Sequence, residues 1–126
     1  MITMPTLLVD PDADAVSTLA ARLRYDGIPT VVAVTRTAAL TAIRAEYFGS
    51  IVVIANLGNV QCRGCLVDIR RAAAHTWLVV IADYEANEAR RHFQNLGVDV
   101  FLSLPFSVAD LVQRLLSLSV RGRPAF

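Results

Sequence analysis

Gly97-Val-Asp-Val-Phe-Leu-Ser-Leu-Pro-Phe106 is the stretch that decides the fold. Its glycine stops a preceding helical segment. Val100–Ser103 follows as a short β-branched and aromatic run, the pattern of a strand. Pro105 ends that strand, because proline cannot donate to a sheet ladder. Directly after it, Ser107-Val-Ala-Asp110 is a capping-box-like helix start. The last helix is expected to bury Val108, Leu111, Val112, Leu115 and Leu116, which recur at helical spacing.

The same strand-then-helix unit recurs upstream. Thr6–Val9 is an apolar run entering an acidic turn, and Asp12 or Asp14 can cap a helix to about Tyr25, with Gly27 beyond it. Thr30–Val34 predicts a second strand, and Thr35 or Thr37 opens a helix to about Tyr47. Ile51–Ala55 and Trp77–Ala82 are uninterrupted apolar runs, as expected of parallel strands covered on both faces. A helix containing Leu66, Val67, Ile69 and Ala73 lies between these two, and another is expected from about Asn87 to Leu96. Five strands alternate with five helices. Short connections then require right-handed crossovers and a parallel sheet. The expected class is α/β, a flavodoxin-like doubly wound sheet in the order 2-1-3-4-5.

Composition narrows the functions. With 126 residues, 55% of them hydrophobic, the chain can bury one core, and one domain over 1–126 is expected. A net charge of +1 gives no footprint for nucleic acid. No apolar run approaches the ~18 residues of a membrane span, and the first residues lack a signal-peptide pattern, so a cytoplasmic protein is expected. All twelve basic residues are arginines. Without lysine, Schiff-base chemistry and a Walker-type phosphate lysine are excluded.

Leu7-Leu-Val-Asp-Pro-Asp12, Gly64 and the 97–106 motif together resemble the receiver domain of two-component response regulators, along nearly the whole chain. The resemblance implies an aspartate at the end of strand 3 that accepts a phosphoryl group, two acids after strand 1 that help hold Mg²⁺, a Thr or Ser ending strand 4, and a Lys ending strand 5. It also implies a cis bond before Pro105. Such a pocket surrounds a highly charged group with a nucleophile, a dication and a cation.

Here the pocket is degenerate. Counting back from Gly64 puts Asn56 at the acceptor position, and a one-residue slip would put Ala55 there. No Asp or Glu occurs between Glu46 and Asp68, so no acidic acceptor is available under either alignment. Ala82 stands at the Thr/Ser position and Leu104 at the Lys position. Asp10 matches the first acid, Pro11 occupies the second, and Asp12 lies one residue further on. Hard cations favour carboxylate oxygens, so Mg²⁺ binding is expected to be weak or absent, with Asp10 the only secure ligand and no other metal or cofactor. The family's aromatic switch position corresponds to Phe101, which reads more readily as a packed strand aromatic.

Other constellations carry less. Cys62-Arg-Gly-Cys65 at a helix start suits a redox pair, but it falls after strand 3 and also reads as two small, partly buried residues. His75 and His92 with the two thiols match no zinc spacing. The expectation is therefore a non-enzymatic, atypical receiver (a pseudo-receiver) without an output domain in the chain. It would act in signal transduction by phosphorylation-independent protein–protein interaction. Its partner would be a kinase, an output protein or a second copy, bound through the face of the fourth helix, fifth strand and last helix. Arg90, Arg91, Phe101, Asp110 and Arg114 belong to that face. The alternatives are a redox switch through Cys62 and Cys65, or phosphorylation at an unusual acid such as Asp12 or Asp83.

Overall fold

The computed structural model describes residues 4–55, 61–82, 91 and 95–121. Its strands are β1 (Thr6–Val9), β2 (Thr30–Ala33), β3 (Ser50–Ala55), β4 (Trp77–Ala82) and β5 (Val100–Ser103). The helices among the described residues are α1 (Ala13–Tyr25), α2 (Arg36–Ala45), α3 (Gln61–Ala72) and α4 (Val108–Arg121). All neighbouring strands are parallel, in the order β2-β1-β3-β4-β5, as the alternation of elements predicts.

Successive side chains of a strand point to opposite faces, and here both faces are apolar. Leu7, Val9, Ile51, Val53, Leu78 and Val80 pack with Ala39 of α2 and with Leu66 and Ile69 of α3. Leu8, Val52, Val79 and Ile81 face the other way, onto Val16, Leu19 and Leu23 of α1 and Leu111, Val112 and Leu115 of α4. The unbroken apolar runs of β3 and β4 are thus two interleaved faces, each with its own helical cover.

The helix ends follow local chemistry. The Asp12 carboxylate accepts from the Ala15 N–H at 3.1 Å and caps α1. At its other end the Gly27 N–H donates to Arg24 O (3.0 Å) and the Ile28 N–H to Leu23 O (2.9 Å). That is a Schellman closure, with Gly27 at φ 85° and Ile28 and Leu23 fully buried beside it. Thr35 caps α2 through the Ala38 N–H, and Ser107 Oγ accepts from the Asp110 N–H in α4.

Three expectations change. The helix expected at 87–96 falls almost wholly outside the described residues. Arg91 is helical, but the segment does not reach Leu96, because Asn95 has φ 69°, a left-handed backbone that a helix interior does not adopt. Hence four helices, not five, are present among the described residues. The second helix stops at Ala45 rather than near Tyr47, since Glu46 is extended and turns Phe48 into the core. In α4, Leu118 is buried as well, while Val108 and Leu116 are only partly covered.

Leu8→Ala, at a fully buried position under α1, is expected to cost about 2–5 kcal/mol of unfolding free energy. Gly27→Ala meets no atom within 4 Å, so only its left-handed backbone opposes the change, at about 1–2 kcal/mol. Denaturant unfolding of both variants would check the order, and a larger loss at Gly27 would contradict this packing.

Candidate functional site

In an open parallel sheet, the loops beyond the carboxyl ends of the strands form the usual site. The registers here bring five chain segments to that edge. Val9 lies opposite Ala33 and Val53, Ala55 lies opposite Ala82, and Ala82 opposite Ser103. Beyond the strands, the Asp10 N–H donates to Ala33 O at 3.1 Å and the Leu104 N–H to Ala82 O at 2.7 Å. Asp10, Ala82 and Leu104 are therefore fixed at the edge by backbone hydrogen bonds that do not depend on their side chains. Asn56 and Asp83 lie outside the described residues.

The side chains at this edge are poor in charge. Ala82 is fully buried, and Leu104 is a partly exposed hydrocarbon, 38% accessible. The Leu104–Pro105 bond is cis, as the resemblance implies. Phe101 is half-buried and packs on the same face as Val80 and Ala82. Asp10 is buried, and its Oδ1 accepts from the Asp12 N–H at 3.0 Å. Burial pushes the Asp10 carboxyl above its ordinary value. The hydrogen bond from Asp12 opposes this rise, and the nearby Asp12 carboxylate adds to it. Asp12 itself is exposed and engaged in capping α1.

The described donors at this edge do not by themselves make the Mg²⁺ site that receiver chemistry implies. A hard dication takes several oxygen ligands. Here one carboxylate is buried and accepts from the Asp12 N–H, one is occupied at a helix cap, and Ala82 and Leu104 offer no polar side-chain atom. Among the described residues, no group of three or more His, Cys, Asp or Glu could hold a metal.

The remaining predicted residues are dispersed. Arg91, Asp110 and Arg114 are exposed, the last two one turn apart on α4, while Arg90 and His92 lie outside the described residues. Cys65 is a free, half-buried thiol on α3. Burial pushes it above its ordinary value; Arg36 opposes the shift and Asp68 adds to it. A raised thiol is a poor redox centre. Cys62 lies in the first turn of the same helix, but its side chain is outside the described residues.

Two ion pairs were not foreseen. Arg36 of α2 pairs with Asp68 of α3, and Gly64 leaves room for the Arg36 guanidinium, which would lie 3.4 Å from a Cβ there. Arg70 donates to the carbonyls of Ala73, Ala74, Thr76 and Gly97, and it pairs with Asp99 at 3.2 Å. The Asp99 carboxylate also accepts from the Leu78 N–H at 2.9 Å. The distant carbonyls that Arg70 gathers were not visible in the sequence, because they lie up to 27 residues away.

No known family model matches the chain, and no curated protein matches it. Solved structures do. The receiver domain of a Francisella response regulator is 23% identical, covering 94% of this chain and 98% of its own, with a TM-score of 0.82. A response-regulator receiver domain from Clostridium thermocellum is 14% identical over 94% and 95%, with a TM-score of 0.80. An orphan response regulator of Helicobacter pylori is 16% identical over 94% and 98%, with a TM-score of 0.75. The chain has the fold of response-regulator receiver domains, a flavodoxin-like α/β sheet. Among the described residues, no helix is long and apolar enough to cross a membrane.

The raised Asp10 carboxyl sets a pH dependence. The folded chain holds this proton more tightly than the unfolded chain, so the group favours folding below the ordinary carboxylate value. That contribution is lost as pH rises through the raised folded value. Asp10→Asn keeps an acceptor for the Asp12 N–H and removes the charge. It is expected to raise Tm at neutral pH and to change little in acid, as thermal unfolding across pH would show. A lower Tm at neutral pH would contradict the buried-acid account.

Proposed function

We propose that this chain is an atypical receiver domain that transmits a signal by protein–protein contact without accepting a phosphoryl group. The observation that carries the reading is the chemistry of the strand edge. A receiver fold is present, with Asp10, Ala82 and Leu104 held by backbone hydrogen bonds at that edge, yet it lacks the groups phosphoryl transfer needs. Residues 47–67 contain no carboxylate, and the chain contains no lysine. An amide at position 56 is a poor nucleophile, and Leu104 supplies no cation for phosphoryl oxygens.

In this reading the domain is not an enzyme and binds Mg²⁺ weakly or not at all. Its partner is a protein: a kinase, an output protein or a second copy. The exposed charges Arg91, Asp110 and Arg114 supply contacts on the face that includes β5 and α4. Exposed ion pairs are individually weak, so they serve orientation and partner choice more than affinity.

Incubation with acetyl phosphate and Mg²⁺ is expected to leave the intact mass of the wild-type chain unchanged. The triple variant N56D/A82T/L104K restores an acceptor, a hydroxyl and a cation, and is expected to gain one phosphoryl group that hydroxylamine removes. Phosphorylation of the wild type, at Asp12 or Asp83 for example, would overturn the reading. Failure of a folded triple variant to react would show that the positions are misassigned.

A further inference from the structure

At the amino ends of the strands, opposite the degenerate edge, lies an open cavity of about 600 Å³. That is within the ~300–1,000 Å³ of small-molecule sites. We propose that it binds a small anionic ligand with an aromatic or alicyclic body, a carboxylate at one end and a hydrogen-bond acceptor at the other.

Three features support this. The walls come from separate elements and are largely apolar: Phe48 after α2, Trp77 of β4, and Leu115 of α4. Aromatic and aliphatic walls with few polar groups suit a compact ring system. Next, the cavity is also lined by Thr6 and Ser50, whose hydroxyls hydrogen-bond each other at 2.8 Å, both residues more than nine-tenths buried. One hydroxyl proton satisfies this bond. The other has no acceptor among the described residues, and buried hydroxyls normally find one. The pair sits on the sheet face that α4 covers, beside Trp77 and Leu115. A ligand acceptor reaching this pair would complete it.

The third feature is charge. Arg71 at the end of α3 and His75 in the following turn are exposed at the cavity, with Glu46 the single acid lining it among the described residues. Arg71 makes no ion pair with any described residue. Its neighbour Arg70, by contrast, spends both terminal amino groups on backbone carbonyls and Asp99. A guanidinium without an ion-pair partner among the described residues, beside an apolar cavity, suits a carboxylate.

The test uses two probes with the same rings, the anionic 8-anilinonaphthalene-1-sulfonate and the neutral N-phenyl-1-naphthylamine. Fluorescence titration gives affinity, and amide shifts in two-dimensional NMR give location. Both probes are expected to saturate and to shift Gly49, Ser50, Thr76 and Trp77. The anion should bind about three- to tenfold more tightly, the scale of one partly exposed charged contact. Arg71→Gln should abolish that preference and leave the neutral probe unchanged, which also reports an intact cavity. Shifts elsewhere, no saturation, or an anion preference that survives Arg71→Gln would overturn the proposal.

Discussion

The demand that a parallel sheet be covered on both faces governs the rest of this molecule. Each strand exposes two apolar rows, so helices must cover both sides of the sheet, and the right-handed connections set on which side each one lies. α1 and α4 cover one row, and α2 and α3 the other. Positions at the carboxyl edge are consequences of this arrangement. Asp10, Ala82 and Leu104 are set by backbone hydrogen bonds continuing the ladders, and nothing in that placement needs a charged side chain.

This separation means that the edge keeps its geometry whatever side chains stand there. Replacing an acid or a lysine there by Ala or Leu removes desolvated charge and costs the ladders nothing. At the opposite end, polar groups perform structural work. Arg70 gathers four carbonyls and the Asp99 carboxylate, joining the exit of α3 to the entries of β4 and β5. Asp99 in turn holds the Leu78 N–H. The approach to β5 is thus secured from below by charge, while its upper end is secured by backbone alone.

Sequence reading and structure agree where the information is local. The strands β1, β4 and β5 were legible as apolar runs, and Asp12, Thr35 and Ser107 as caps, because a cap and its helix lie within a few residues. That residues 47–67 carry no acid and the chain no lysine was legible as composition. What was not legible depends on distance along the chain. The Thr6–Ser50 pair joins residues 44 apart, and Arg70 reaches 27 residues to Gly97. The left-handed Asn95 escaped notice because the helical pattern continues to Leu96. Asn56, Asp83, Arg90 and His92 lie outside the described residues, so their placement adds nothing to either side of the comparison.

Asp10 shows how a buried carboxylate can be kept for a structural reason alone. In a charged pocket, a buried carboxylate is kept ionised by neighbouring cations. Here no lysine exists, and the groups that act on Asp10 are its own burial, the Asp12 N–H and the Asp12 carboxylate. Two of these three raise its affinity for a proton. Yet its Oδ1 organises the turn that places Asp12 as the cap of α1, so removing the oxygen would leave the Asp12 N–H without its acceptor, at about 1–3 kcal/mol if buried. The structural requirement at this position is for an acceptor, and a charge is not needed to meet it, so the turn uses the Asp10 oxygen while the fold tolerates its ionisation.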